Sequence, residues 1–329
     1  MASESIDISI VVPLYNEEQA FPLLVERLNK LIDAVVYPIE IVLVNDGSSD
    51  ATPILMKQIA LTNAQYQCVF LSRNYGHQIA LTAGMSVARG RKAVMVIDGD
   101  LQDPPELLPQ FYQKIKEGYD VVYGIRKKRK EGLFKRTAYY FFYRLLKKIA
   151  GIDLPLDSGD FGMMSRRVVD IMNQMPEQSR YLRGMRAWVG FNQVGVAYER
   201  SERVAGSPKY NFRMLLKLAY NGIFNFSDVP IKILTRLGLL AILSSLCYFT
   251  YSVIAKYTTD TVPTGFTALL FVIILFGGVQ LISIGILGEY IIRMFFQVKN
   301  RPIFIIKEKV VNKKLVSTSQ ADKISIIEQ

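Results

Sequence analysis

Histidine, cysteine and tryptophan are nearly missing from this 329-residue chain, which has one His, two Cys and one Trp. A single imidazole excludes a multi-histidine metal centre. Cys68 and Cys247 alone exclude a disulfide scaffold and a cysteine-based zinc cluster. Neither GxGxxG nor GxxxxGKS/T occurs, which removes support for a dinucleotide fold or a P-loop. Met1 to Asp7 lack a basic region followed by an apolar run, so no signal peptide is expected. Charge is also missing over two long runs, 237–255 and 261–288. About 20 apolar residues cross a ~30 Å hydrocarbon core, so both runs are expected to span a membrane as a helical hairpin.

What the chain has in excess is apolar surface and positive charge. Half of its residues are hydrophobic and the formal net charge is +11, with a mean hydropathy of +0.19. That is too apolar for a disordered chain, and it calls for an anionic partner: nucleic acid, a membrane surface or a phosphorylated substrate. The charge is concentrated. Between Arg126 and Lys148 ten cations face only Glu131, interleaved with Phe134, Tyr139, Tyr140, Phe141, Phe142 and Tyr143. A basic, aromatic helix of this kind suits a lipid headgroup layer. A second stripe, Phe212, Leu215, Leu216, Ala219 and Ile223, is expected to be interfacial, with packing against the domain core as its alternative. Cations flank the two apolar runs on both outer sides, whereas their link holds only Lys256 and Asp260. The positive-inside rule therefore places the N-terminal domain and both termini in the cytoplasm, at the inner (plasma) membrane. A nucleic-acid partner would leave the apolar runs unexplained and is not expected. Glu289 and Arg293 are spaced to pair along one helix, and Lys307 to Gln329 reads as a short extended tail followed by disorder.

The first 200 residues alternate strand and helix signals. Short β-branched runs at Ile8–Val12, Ile39–Val44, Val69–Leu71, Ala93–Ile97 and Val121–Tyr123 read as buried strands, and Glu18–Val35 carries helical apolar spacing. The pattern predicts an α/β fold with a mainly parallel sheet covered on both faces. Ligands of such sheets bind at the carboxyl ends of the strands, where Tyr15-Asn16-Glu17, Asp46-Gly47-Ser48 and Asp98-Gly99-Asp100 fall. Two carboxylates two positions apart after a buried strand can hold a hard divalent ion, Mg²⁺ or Mn²⁺, although Asp-Gly-Asp is also an ordinary turn. Gly76, Ala80 and Gly84 suggest close backbone packing along a helix that starts near His77. A structural or donor-wall role is expected for that histidine.

VVPLYNEE (11–18), VNDGSSD (44–50), SRNYGH (72–77) and DGDLQDPPE (98–106) resemble the family 2 glycosyltransferases, which have a GT-A fold. The Asp157–Phe161 stretch, the Arg200–Tyr210 segment and GILGEYIIRMF (285–295) resemble the membrane-anchored polyprenyl-phosphate members, similar to bacterial undecaprenyl-phosphate glucosyltransferases and dolichyl-phosphate mannosyltransferase. The likeness runs from about Ile8 to about Ile306. It implies a catalytic domain at 1–200, a mobile loop and juxtamembrane helices at 201–235, two transmembrane helices at 236–292 and a cytoplasmic segment at 293–329. It further implies that Pro13, Tyr15 and Glu17 line the nucleotide pocket and that Asp46 bonds the base edge. Asp98 would lie near the ribose and metal, Asp100 would ligate the ion, and Gln102 would be a further metal or sugar ligand. Asp160 stands at the position of the catalytic base. Arg126, with Arg136 as a second, matches the arginine for the lipid phosphate. Arg200, Arg203 and Lys209 belong to a loop that closes over both phosphates, and Pro208 departs from the usual loop pattern. The QxxRW motif of processive members is absent, so transfer of a single sugar is expected.

The expected reaction is metal-dependent, inverting transfer of one hexose from a nucleotide-diphosphate sugar to a polyprenyl phosphate. UDP-glucose is the first reading of the donor and GDP-mannose the second. A lipid monophosphate has a second pKa of about 6 and is largely a dianion near neutrality, so Asp160 is expected mainly to orient the acceptor or a cationic partner. A catalytically inactive membrane-tethered scaffold is the alternative from a different class. Relatives imply a homo-oligomer, a tetramer among the options, and small residues in the second span allow close helix contact.

Overall fold

The computed structural model describes residues 5–127, 158–199, 227, 229–259 and 265–317. Arg136, Arg200, Arg203, Lys209 and the expected interfacial helices around 135–150 and 210–226 lie outside the described residues. The chain divides into two compact units, one of Met1–Tyr143, Ile152–Met214 and Pro302–Gln329 and the other of Arg144–Gly151 and Leu215–Arg301.

The first unit runs β1 (Ile8–Leu14), α1 (Phe21–Ala34), β2 (Ile39–Asn45), α2 (Thr52–Thr62), β3 (Tyr66–Leu71), α3 (His77–Val87), β4 (Ala93–Val96), α4 (Leu108–Lys116) and β5 (Val121–Lys127), then β6 (Ser158–Ser165), α5 (Arg166–Gln174), α6 (Leu182–Val189) and β7 (Gln193–Glu199). After the second unit it ends with β8 (Ile306–Val311) and β9 (Lys314–Ser317). The nine strands form one sheet in the order β7-β5-β6-β4-β1-β2-β3-β8-β9. β1 pairs in parallel with β2 and β4, β2 with β3, and β5 with β7. β6 is antiparallel to β4 and β5, as β8 is to β3 and β9.

The physical causes are those of a sheet covered on both faces. Every residue of β1, β2 and β3 is buried, which is why their sequences read as continuous apolar runs rather than alternating ones. α1 buries Phe21, Leu24, Leu28 and Leu31, one helical stripe. α3 lies so close to the sheet that a Cβ on Gly84 would sit 2.3 Å from Val11 Cγ1 and 2.9 Å from Val44 Cγ2, as the small-residue spacing suggested. Gly76 serves differently: it has no atom near its would-be Cβ, and its φ of +95° turns the chain into the helix.

The inverted strand matters most for the site. Because β6 runs against its neighbours, its first residues share an edge with the last residues of β1, β2, β4, β5 and β7; Ser158 stands opposite Ile125. The short extended segment expected from Lys307 onward is a pair of strands built into the sheet. Residues 306–317 form a hairpin that continues the sheet beyond β3, with Ser72 N–H donating to Ile305 C=O at 2.9 Å and Lys57 paired to Glu308 at 3.1 Å.

The second unit carries α7 (Val229–Thr259) and α8 (Phe266–Val298), of 31 and 33 residues. Both are long and apolar enough to cross a membrane, over Val229–Tyr251 and Phe271–Val298. Ser227 Oγ accepts from Val229 N–H at 3.1 Å, and its carbonyl accepts from Tyr290 Oη at 2.8 Å. Arg293 donates to Glu289 at 2.9 Å, the expected i to i+4 pair.

Candidate active site

The polar residues at the carboxyl edge are held by loops that bind one another. Asn16 has a φ of 54°; its N–H donates to Ser48 Oγ at 3.0 Å and its Oδ1 accepts from Ser49 N–H at 2.8 Å. Glu17 N–H donates to Thr52 Oγ1 at 3.0 Å, and Glu18 accepts from Ala51 N–H at 2.9 Å. Gly47, with a φ of +68°, lets this loop touch the next one, since a Cβ there would sit 2.5 Å from Asn74 N. Tyr15 is 40% exposed beside it, while Pro13 is buried within β1 opposite Val44.

Asp46 is bonded to the turn that starts α3. It is 3% exposed, and its two carboxylate oxygens accept from the N–H groups of Tyr75 and Gly76 at 2.7 and 2.9 Å. Burial pushes its pKa up, against the opposing pull of those two amides and of His77. In this geometry Asp46 clamps the turn that starts α3.

Asp98 and Asp100 leave β4 on either side of Gly99, whose close approach to the β1 strand is enforced: a Cβ there would meet Leu14 Cδ2 at 2.5 Å and Pro13 O at 3.0 Å. Gln102 N–H donates to Asp100 Oδ1 at 3.2 Å. Leu101 has a φ of 63°, and its carbonyl accepts from Arg27 at 3.1 Å while the same guanidinium forks onto Glu106 at 2.7 and 2.9 Å. Two carboxylates and one carboxamide in five residues are a hard-oxygen set that suits Mg²⁺ or Mn²⁺. Among the described residues no three or more His, Cys, Asp or Glu side chains converge so as to hold a metal ion by themselves, so an ion held here would take much of its shell from ligand oxygens and water.

The structure brings His77 into the centre, where sequence reasoning had assigned it only a wall or structural role. Its Nε2 lies 3.4 Å from Asp98 Oδ1 and 3.5 Å from Asp160 Oδ2. Burial disfavours the imidazolium, but the two carboxylates outweigh it and raise the pKa to about 9. Asp160, at the start of β6, is 9% exposed at its side chain and pairs with Arg183 Nε at 3.2 Å. Burial opposes its charge, yet Arg183, His77 and the buried Arg186 together hold it well below the usual carboxylate range. Arg186 itself is pushed down to about 10 by burial, and it donates to Gly159 C=O at 3.3 Å.

Arg126, the last but one residue of β5, packs against the same strand start: a Cβ on Gly159 would lie 3.0 Å from its Nη2. Its Nε donates to Tyr198 Oη at 3.4 Å, and Tyr198 donates to Asp103 Oδ1 at 2.8 Å. Gly124 leaves the room for this, because a Cβ would strike Phe161 and Tyr198 at 2.6 and 2.7 Å. The edge thus gathers Asp98, Asp100, His77, Asp160 and Arg126. His77, Gln78, Arg183 and Tyr198 were not foreseen as site residues, and only the position of SRNYGH before a helix hinted at the first.

Comparison with known proteins agrees with this architecture. Residues 9–171 match Glycosyl transferase family 2. The chain is 42% identical over 316 residues to the "Uncharacterized glycosyltransferase YkcC" of Bacillus subtilis, covering 95% of this chain and 98% of that one. It is 40% identical over 302 residues to the "Bactoprenol glucosyl transferase" of Shigella phage SfII, covering 92% and 97%. Among solved structures, the mannosyltransferase PcManGT from Pyrobaculum calidifontis, in complex with GDP-Man and Mn²⁺, matches with a TM-score of 0.44 and 17% identity over 90% of this chain and 88% of that one. With a GT-A-like sheet, acidic residues at its carboxyl edge and near-full-length relatives, the chain belongs to glycosyl transferase family 2.

Proposed function

We propose that this glycosyltransferase moves one glucosyl unit from UDP-glucose to a polyprenyl phosphate at the cytoplasmic face of the membrane. One observation carries the reading. His77 Nε2 lies within 3.5 Å of both Asp98 and Asp160, and Arg126 packs against Gly159, so the acidic pair, a buried carboxylate and a cation share the carboxyl edge of the sheet. Since the chain leaves this sheet after β7 and rejoins it at β8, it crosses a bilayer an even number of times, which suits a two-helix hairpin. The name of the phage relative, a bactoprenol glucosyl transferase, supports both the sugar and the lipid.

In this reading the loop after β1 receives the nucleotide, with Tyr15 at its mouth and Glu17 beside it, while Asp46 braces the α3 turn from below. Asp98, Asp100 and Gln102 would hold the divalent cation, which when bound neutralises the diphosphate leaving group. Arg126 attracts and orients the acceptor phosphate, assisted by Arg136 and, on the closing loop, by Arg200, Arg203 and Lys209. Asp160 is held ionised. Its first task is to fix His77 and Arg183 around the acceptor, and it takes a proton only from the monoanionic fraction of the lipid phosphate. Attack from the face opposite the leaving group inverts the anomeric centre. The enzyme acts as a homo-oligomer.

The test is transfer of label from a panel of UDP- and GDP-hexoses into lipid extract, using the full-length protein in membranes with short-chain polyprenyl phosphate. UDP-glucose is expected to give the strongest labelling, chelator to abolish it, and Mg²⁺ or Mn²⁺ to restore it. Asp160→Asn is expected to lower the rate by about 10²–10⁴-fold. Lipid labelling that survives chelation overturns the metal assignment, and no lipid labelling from any donor overturns the reaction.

A further inference from the structure

We propose that Gln78 is a positioning residue for Asp160, its side-chain amide fixing the carboxylate's orientation for transfer; this rests on the reading that Asp160 serves the reaction. Gln78 sits in the first turn of α3, immediately after the turn whose two N–H groups are clamped by Asp46. The helix cannot drift from the sheet, because Gly84 presses it onto Val11 and Val44. The backbone of residue 78 is therefore fixed before its side chain does anything.

The side chain then makes two short bonds to different elements. Its Oε1 accepts from Leu182 N–H, the first residue of α6, at 2.8 Å, and its Nε2 donates to Asp160 Oδ2 at 2.7 Å. A carboxamide is nearly symmetric in shape, so a lone Gln–Asp contact leaves its orientation open. Here the Leu182 N–H can be met only by the oxygen end, which leaves the NH₂ end facing Asp160. The amide is thus a one-way donor, and it favours the ionised carboxylate in one rotamer. Among the described residues, the charged groups acting on Asp160 are His77 on α3, which also touches Asp98, and Arg183 and Arg186 on α6. Those cations are drawn by charge from several directions, whereas the Gln78 bond sets one direction.

A purely structural role, tying α3 to α6, makes a different prediction. Gln78→Glu keeps the shape and keeps an acceptor for Leu182 N–H, so a tie survives it. A positioning donor does not survive it, because the second oxygen now repels Asp160 unless it carries a proton. Beside another carboxylate the new Glu has a raised pKa and takes that proton as pH falls.

The experiment compares wild type, Gln78→Glu, Gln78→Ala and Asp160→Asn in full-length membrane-embedded protein, using the donor identified by the panel above. Rates are measured from pH 5.5 to 8.5 and melting temperatures alongside. Gln78→Glu is expected to melt with the wild type and to transfer about 10–100-fold more slowly at pH 8, its deficit narrowing toward pH 5.5. Gln78→Ala is expected to show a deficit that does not change with pH. A Gln78→Glu rate equal to wild type, or a deficit constant across pH, overturns the proposal while an inactive Asp160→Asn leaves the reading of Asp160 intact. Full activity in Asp160→Asn overturns that reading, and this proposal with it.

Discussion

At the scale of single residues, two charges of the site are each bonded to a neutral side chain, Asp160 to Gln78 and Arg126 to Tyr198. The Tyr198 hydroxyl accepts from the guanidinium at 3.4 Å and donates to Asp103, 1% exposed, at 2.8 Å. Its ring is held edge-on to Phe161 at 5.0 Å, so Tyr198→Phe would keep the packing and remove only the hydroxyl. The buried Asp103 then loses a donor, which costs about 1–3 kcal/mol and is read as a lower melting temperature. Arg126 loses its guide, so KM for polyprenyl phosphate is expected to rise several-fold while KM for the nucleotide sugar holds. An equal rise in both would show that the tyrosine supports the whole edge rather than the arginine. Charge and motif made Asp98, Asp100, Asp160 and Arg126 legible from the sequence. Tyr198 and Gln78 were not, because their partners stand 95 and 104 residues away and neither residue type announces a role. Asp46 was legible as a polar strand end, but its burial under the Tyr75-Gly76 turn was not.

At the scale of elements, the strands that could be read were those buried on both faces. β1, β2 and β4 match their apolar runs, while β3 starts three residues earlier than the run suggested, because Tyr66 and Gln67 are buried too. β6 was missed because SGDFGMMS mixes glycine and a carboxylate with its apolar residues, and β8 because IKEKVV buries only Val310 and reads as solvated. The same logic explains one charge inside a readable strand. Glu40, 1% exposed in β2, accepts from Ser9 Oγ and Arg89 N–H at 2.6 Å each and from Arg89 Nε at 2.7 Å. Ser9 in turn accepts from Gly90 N–H at 2.7 Å. This knot ties β1, β2 and the α3–β4 turn together at the amino ends of the strands, the edge opposite the site. Removing Glu40 leaves the buried Ser9 hydroxyl and the Arg89 N–H without their acceptor, at about 1–3 kcal/mol for each unsatisfied group. Glu40→Ala is accordingly expected to lower the melting temperature sharply while the KM values of the folded fraction stay unchanged. A changed KM would mean that strain passes along the sheet to the carboxyl edge.

At the scale of the whole molecule, the chain uses β8 and β9 to continue the sheet that the apolar helices interrupt in sequence. Without β8, the edge of β3 would present the unpaired backbone of Cys68 to Leu71, all now paired with 306–310. An exposed, apolar sheet edge of this kind is a template for aggregation. β8 and β9 offer the opposite surface: Lys307, Lys309, Lys313 and Lys314 stud the hairpin, and lysines on an outer strand discourage further pairing. Lys57–Glu308 and the Arg89–Asn312 contact at 3.4 Å fasten it to α2 and to the Glu40 knot. The hairpin is therefore a structural part of the first unit although it follows the two long apolar helices in sequence. A chain ended after Arg301 keeps Asp98, Asp100, His77, Asp160 and Arg126, so a tail without structural role would leave it as stable and active as the full chain. The sheet geometry requires instead a lower melting temperature and large aggregates on size-exclusion chromatography in detergent. Adding a separate peptide of residues 302–317 is expected to recover part of the loss, because the missing strand pairs through backbone bonds that do not depend on covalent linkage. Equal melting of the truncated and full-length proteins would show that β3 tolerates a bare edge and that the hairpin is dispensable.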